Sequence, residues 1–337
     1  MYVYLYTENI MSNKKIVYIT GCLGFIGSYV TKACLEQGWY VIGVDKGTYA
    51  ARYENLKQFE EYGSNVFKFI NSDINDLISL FDCDYIINTA AETHVDNSIV
   101  SSDEFVHSNI NGVKHLLDII RLKSKYKMPT LIQFSTDEVY GDIKDGSHTE
   151  NDLLKPSNPY SATKASADML ITAWGRTFKV PYIIVRPTNN YGIGQYPEKL
   201  IPKVCKFMNL GKKVPIHGDG TPRRVWLHAK DTASAIITII KNNENNECLH
   251  EIYNIGGDIE LPNIEIIEKI HKLFISPVVQ SYNWKEQLCD FNYTRAGHDV
   301  RYSLDDSKLR KLGWKNECNL DTELQSIVDF YKNNFIW

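Results

Sequence analysis

Apolar positions along the chain cluster into short continuous runs separated by longer stretches of helical spacing. Ile16–Thr20, Tyr40–Asp45, residues 66–70, 85–90 and 130–136, and Tyr182–Pro187 are runs rich in β-branched and aromatic residues. They lack the alternation of a half-exposed strand, so they read as strands covered on both faces. Between most of them the apolar spacing is helical, notably over 27–37, 103–123 and 160–178. Continuous apolar strands alternating with helices predict an α/β fold with a doubly wound, Rossmann-like parallel sheet. After Pro187 the alternation stops. Short mixed segments follow until helical patterns return at 230–241, Asn263–Phe274 and 320–334. The expected organisation is a sheet domain over 13–187 and a smaller mixed C-terminal lobe over 188–337, some of whose segments return to the sheet. Residues 1–12 are expected to be an extension outside the fold.

Composition narrows the role. The 337 residues are 43% hydrophobic and 23% charged, and 37 Lys+Arg against 41 Asp+Glu leave a net charge of −4. Nothing in that balance fits a protein built to grip nucleic acid or an anionic membrane. No apolar run approaches the roughly 20 residues of a membrane-spanning helix. The seven Cys form no C-x-x-C pair, so no metal site is expected, and an odd count of scattered thiols fits a reducing, cytoplasmic setting.

Chemistry enters at the turn after the first strand. Gly21, Gly24 and Gly27 stand in a G-x-x-G-x-x-G spacing between strand and helix. Glycines there permit a tight turn, close approach of a pyrophosphate and close helix–strand packing, while the helix N-terminus offers free N–H groups. Phe25 and Ile26 belong to this turn. Asp45 closes the second strand, where a carboxylate can bind ribose hydroxyls and repel a 2′-phosphate; this favours NAD over NADP. Tyr160 and Lys164 are four residues apart on a predicted helix and share one face. An ammonium near the phenol would lower its pKa and make Tyr160 a base. Asp137 and Glu138 follow the strand at 130–136, at the carboxyl edge where ligands of parallel sheets bind. Two adjacent carboxylates there suit a general acid and a general base.

The glycine spacing together with Tyr160-Ser161-Ala162-Thr163-Lys164 resembles the extended short-chain dehydrogenase/reductase family. Within it, Ser135-Thr136-Asp137-Glu138-Val139-Tyr140-Gly141 is similar to the active-site segment of nucleotide-sugar 4,6-dehydratases of the dTDP-glucose type. The likeness runs from Lys15 to the C-terminus. The resemblance implies bound NAD, held by the glycine turn, Asp45, Lys46, Thr48, Asp73, Ile74, Thr89, Ala90, Ala91, Thr93, Ser108, Tyr160, Lys164 and Asn190. It implies a nucleotide-sugar partner held by Thr93, His94, Thr136, Asn189, Lys199, Leu200, Pro215, Ile216, His217, Arg224, Asn254, Arg295 and His298. Catalysis would fall to Thr136, Asp137, Glu138, Tyr160 and Lys164. The implied reaction makes a 4-keto-6-deoxy sugar nucleotide, dTDP-glucose being favoured over UDP-glucose, for rhamnose-type 6-deoxyhexose synthesis. Relatives pair as homodimers through helices that include the Tyr-x-x-x-Lys helix. Cys22, Asn97, Val225 and Ala296 depart from the family pattern. A 4-epimerase or uronate decarboxylase on the same scaffold is the alternative enzyme, which the Asp137-Glu138 pair disfavours; a non-catalytic NAD-binding protein is the other.

Overall fold

The computed structural model describes residues 14–123, 128–243, 249–275, 283–294 and 299–334. The expected extension over 1–12 therefore lies outside the described residues. Strands β1 (Ile16–Thr20), β2 (Tyr40–Asp45), β3 (Phe67–Asn71), β4 (Tyr85–Asn88), β5 (Thr130–Phe134) and β6 (Tyr182–Pro187) form one parallel sheet. Five later strands are shorter or more polar: β7 (Asn189–Tyr191), β8 (Val214–His217), β9 (Arg223–His228), β11 (Ile259–Pro262) and β12 (Cys289–Tyr293). β10 (Glu251–Ile255) is different, because it pairs parallel with β6 and gives the main sheet the order β10-β6-β5-β4-β1-β2-β3. The chain past Pro187 thus supplies one edge of the sheet domain. It also supplies a covering helix, since α5 below packs on α1.

The helices that matter for the site are α1 (Phe25–Glu36), α2 (Gly112–Arg121), α3 (Pro159–Phe178), α4 (Leu200–Asn209), α5 (Ala229–Asn242), α6 (Asn263–Phe274) and α7 (Leu320–Asn333). One face of the sheet buries Val17, Ile19 and Val41 against Val30 and Cys34 of α1 and Ile236 and Ile240 of α5. The other buries Tyr18, Ile86 and Ile184 against Leu116 and Ile120 of α2 and Ala167 and Ile171 of α3. Burial on both faces explains why these strands are apolar throughout. A third core, with Val204, Ile216, Ile267 and Leu324, holds the lobe together. There β11, β9 and β7 form a three-stranded sheet and β12 pairs with β8. Residues 106–111 open into a wider helical turn just before α2. The side chain of Asn109 there accepts from the Glu92 backbone N–H at 2.9 Å and donates to Thr163 at 2.9 Å, tying the loop after β4 to α3. No helix of the described residues is long and apolar enough to cross a membrane.

Candidate active site

The carboxyl ends of β1, β2, β4, β5 and β6 open into two adjoining cavities of about 300 and 210 Å³. They share Thr93, Glu138, Asn189, Asn190, Gln195, Glu198 and Lys199 as common wall. The first is walled by the glycine turn, Asp45, Lys46, Thr48, Asp73, Ile74, Thr89, Ala90, Ala91, Ser108, Thr136, Asp137 and Tyr160. Gly21 holds φ +71°, and a Cβ there would lie 2.7 Å from the Ala90 nitrogen. A Cβ on Gly27 would collide with the Gly21 carbonyl. No side chain caps α1 at Gly24, so its first N–H groups remain available to an anion. Asp45 accepts from the N–H groups of Leu23 (3.0 Å) and Gly47 (2.8 Å), which fixes the carboxylate and leaves lone pairs for further donors. Lys46 donates to Asp73 at 3.0 Å. An extended dinucleotide of the NAD type fits these groups: close backbone approach and N–H donors for its phosphates, a fixed carboxylate for a ribose.

The chemistry concentrates where the cavities meet. Thr136 caps the helical turn at Asp137–Tyr140, accepting from the Glu138 N–H at 3.3 Å. The capped turn sets the two carboxyls side by side. Asp137 is buried, and its two oxygens accept from Thr136 (3.1 Å) and Thr188 (2.9 Å). Burial, with Glu138 beside it, pushes its pKa up to about 7. Burial also raises Glu138, against the pull of Arg224 and of the Asn158 amide that donates to it at 3.3 Å. Tyr160 lies within the same group of residues. Burial and the two carboxyls push its phenol well above the ordinary value, while a hydrogen bond with Thr136 pulls it down.

The second cavity is walled by His94, Leu200, Pro215, Ile216, His217 and Arg224, together with Trp226, Asn263, Asp299 and Tyr302. Lys199 donates to the Thr93 carbonyl at 2.8 Å. Arg224 donates to the carbonyls of Arg223 (2.7 Å) and Asp299 (3.1 Å), with its guanidinium 4.6 Å from the Tyr302 ring centre. Lys199 stands on the wall the cavities share and Arg224 on the wall of the second, a pair of cations suited to a diphosphate.

The sequence model of the family described as GDP-mannose 4,6 dehydratase matches residues 18–327. A probable dTDP-glucose 4,6-dehydratase of Sinorhizobium fredii is 38% identical over 340 residues, covering 95% of this chain and 94% of that one. A trifunctional UDP-glucose 4,6-dehydratase/epimerase/reductase of Arabidopsis thaliana is 37% identical over 96% of this chain and 48% of its own length. The crystal structure of DesIV, a dTDP-glucose 4,6-dehydratase from Streptomyces venezuelae with NAD and TYD bound, superposes with a TM-score of 0.85 at 33% identity, over 95% of this chain and 97% of that one. The chain belongs to the nucleotide-sugar 4,6-dehydratases of the extended short-chain dehydrogenase/reductase family.

For this member of the dehydratases the structure places two of the expected residues away from the cavity walls. Asn254 does not reach either cavity. It is fully buried in β10, accepting from the Tyr140 hydroxyl at 2.9 Å and donating to the carbonyls of His148 and Asp305. Its register partner is Arg186 of β6, so it faces the polar seam between the two strands. Lys164 shares a helix face with Tyr160, yet its ammonium donates to the Phe134 carbonyl at 2.6 Å and is absent from both cavity walls. Burial lowers it to about 8. At the phenol, burial and Glu138 act most strongly, with Thr136 opposing them. Arg295 and His298 lie outside the described residues.

Other wall residues were not singled out from the sequence. Glu198 accepts from the Tyr49 hydroxyl at 3.0 Å across the first cavity's mouth. It directly precedes Lys199, whose expected contact with the nucleotide sugar was the available signal. Asn158, which caps α3 through the Ser161 N–H (2.9 Å) while touching Glu138, carried the helix-start signal of Asn before Pro159. Thr188 directly precedes Asn189, an expected substrate contact, while Tyr302 carried no signal, since its contacts depend on distant segments.

Proposed function

We propose that this chain converts a nucleoside-diphosphate glucose to the 4-keto-6-deoxy sugar nucleotide. The observation that carries the reading is the carboxyl pair of buried Asp137 and half-buried Glu138, set beside Tyr160 in a crevice whose other end is the glycine turn. NAD bound along that turn and Asp45 would accept the hydride from C4 and return it to C6. Tyr160, as a phenolate that burial makes strongly basic, takes the proton of the C4 hydroxyl. The resulting ketone acidifies the C5 hydrogen, and Glu138 removes it as a proton. The C5–H electron pair becomes the C5–C6 double bond as the C6–O bond breaks. Asp137 gives its proton to the departing hydroxyl, which leaves as water. Glu138 then returns its proton to C5 as C6 is reduced, and the enzyme resets when Tyr160 releases its proton and Asp137 takes one up. Lys199 and Arg224 bind the diphosphate, and Pro215, Ile216 and His217 lie along the base.

Substrate labelled with deuterium at C4 should yield product carrying it at C6. Glu138→Gln should still oxidise C4 but stop before water is lost. Label remaining at C4, or full product from the Gln variant, would sink the reading. Relatives of both nucleotide types are similarly identical, so kcat/KM measured side by side decides between dTDP-glucose and UDP-glucose; we favour dTDP-glucose. A methyl group in an apolar pocket is worth about 1–3 kcal/mol, so a difference of tenfold or more is expected. The product would feed rhamnose-type 6-deoxyhexose synthesis in the cytoplasm. A homodimer is supported by apolar side chains open to solvent on neighbouring helical segments: Val106, 39% exposed, and Met169 of α3, 58% exposed. Sedimentation as a monomer would refute it.

A further inference from the structure

Thr188 follows β6, 51 residues from Asp137, and nothing in the scheme above uses it. Its hydroxyl is buried and has a single hydrogen with two acceptors in reach: Asp137 Oδ2 at 2.9 Å and the Val225 carbonyl at 3.3 Å. Its own N–H is engaged by the Ile255 carbonyl at 3.0 Å, which fixes the residue between β6 and β10. The other oxygen of Asp137, Oδ1, faces Thr136 at 3.1 Å. Thr136 also accepts from the Glu138 N–H at 3.3 Å and acts on Tyr160, so it serves more than the acid. Of the two hydroxyls at Asp137, that of Thr188 makes the shorter bond, 2.9 Å against 3.1 Å, and its backbone is pinned between two strands.

We infer that Thr188 is a positioning residue for the elimination: its hydroxyl claims Asp137 Oδ2 as an acceptor, so the acid carries its proton on Oδ1, the side shared with Thr136 and Tyr160. A carboxylic acid has one O–H and one carbonyl oxygen, and a donor fixed on one oxygen leaves the proton to the other. This inference rests on the dehydratase reading, in which that proton leaves with the C6 hydroxyl as water. Thr188 also tunes the acid, because a hydrogen bond to the ionised form favours it. Glu138 opposes ionisation of Asp137, and Arg224 favours it; Tyr160 from α3 faces the same carboxyl, while Lys199 and Asp299 act on Glu138.

Thr188→Val keeps the shape and removes the donor; Thr188→Ser restores it. With dTDP-glucose and UDP-glucose as probes, the Val variant should lose kcat by about tenfold or more, as misplacement of a reacting group does, with KM and binding of dTDP essentially unchanged. The alkaline fall of kcat should move up by about one pH unit, because the anion loses a charge-assisted bond. In a single turnover, reduced-cofactor absorbance should build up, since C4 oxidation continues while elimination slows. Thr188→Ser should recover both kcat and the original limb. Should the Val variant not fold, Thr188→Ala carries the same test. An unmoved alkaline limb without reduced cofactor, or a Ser variant that behaves like Val, would overturn the role of Thr188 while leaving the dehydratase reading intact. A wild-type enzyme that turns over neither sugar nucleotide would overturn the reading itself, and the role with it.

Discussion

Replacing Asp168 with Asn tests the polar seam on which the catalytic elements rest. Asp168 of α3 is 1% exposed and Arg186 of β6 is 2% exposed. The guanidinium donates to Asp168 Oδ2 from Nε (3.1 Å) and Nη2 (2.9 Å), and Ser135 donates to the same oxygen at 3.0 Å. The third arm of Arg186 donates to Tyr140 at 2.7 Å, and Tyr140 donates to Asn254. The ion pair therefore joins α3, which carries Tyr160 and Lys164, to β6, and the bonds with Ser135 and Tyr140 extend it to the segment that carries Asp137 and Glu138. Asn keeps the shape but leaves Arg186 buried without a counter-charge, which costs about 3–5 kcal/mol. With an unfolding entropy of about 2.1 cal/mol/K per residue, a chain of 337 residues should lose roughly 4–7 °C in Tm. Lys164 loses the neighbour that favours its charged form, so its ammonium should titrate lower as well. Urea and thermal denaturation of the NAD-loaded protein measure the stability term. Replacing both partners, Arg186→Met with Asp168→Leu, removes the stranded charge and should cost less than Asp168→Asn alone. A single variant within about 1 kcal/mol of wild type, or a double variant worse than the single, would refute the reasoning.

Three further outcomes follow from individual groups. Asp137 must be protonated to release water and is ionised above about 7 in the free enzyme, so kcat/KM should fall as pH rises through that value; a kcat/KM level well above it, in a pH–rate profile, would remove Asp137 as the acid. His228 caps α5 by accepting from the Lys230 N–H at 3.1 Å, and burial lowers its pKa to about 4. The unfolded chain binds that proton first, so the stability His228 confers is complete above pH ~6.5 and is lost as pH falls toward 4, by about 3 kcal/mol; denaturation at several pH values should show His228→Asn with a flatter acid limb. Arg224→Met should raise KM for the sugar nucleotide roughly tenfold to a hundredfold, the value of a charge-assisted bond, as read by steady-state kinetics and dTDP binding.

The parallel sheet was legible because both of its faces are buried, so Val17–Ile19 or Ile86–Ile87 could carry only apolar side chains. The lobe was less so. β7 has three residues and β8 four, too few for a period to emerge from a mixed composition. At the site, the local patterns were readable: the glycine turn, the adjacent carboxyls and the i, i+4 pair on α3. What those patterns could not supply was the direction of a polar side chain. Asn254 sits in a strand whose neighbours Tyr253 and Ile255 are buried too, so nothing in the run says that its amide serves Tyr140 and not a sugar. Lys164 satisfies the Tyr-x-x-x-Lys spacing, yet the Phe134 carbonyl one strand away captures its ammonium. Thr188 meets Asp137 only because β6 lies beside β5.

The modest net charge of the chain conceals a steep local field at the site. Asp137, Glu138, Glu198 and Asp299 all border the crevice, and Lys199 and Arg224 are the basic groups on the walls near them. Arg224 and Lys199 both draw the pKa of Glu138 down against its burial. A diphosphate seated on the same two cations would take up much of their charge and bring its own negative charge within reach of both acids. Both pKa values would then rise in the substrate complex. For Asp137 a rise keeps the proton where the departing hydroxyl needs it. For Glu138 a rise makes the carboxylate a stronger base toward C5. The alkaline limb of kcat, set by the complex, should therefore lie above that of kcat/KM, set by the free enzyme. Coincident limbs in the two profiles would mean that the diphosphate is bound away from Arg224 and Lys199, and that burial alone tunes the pair.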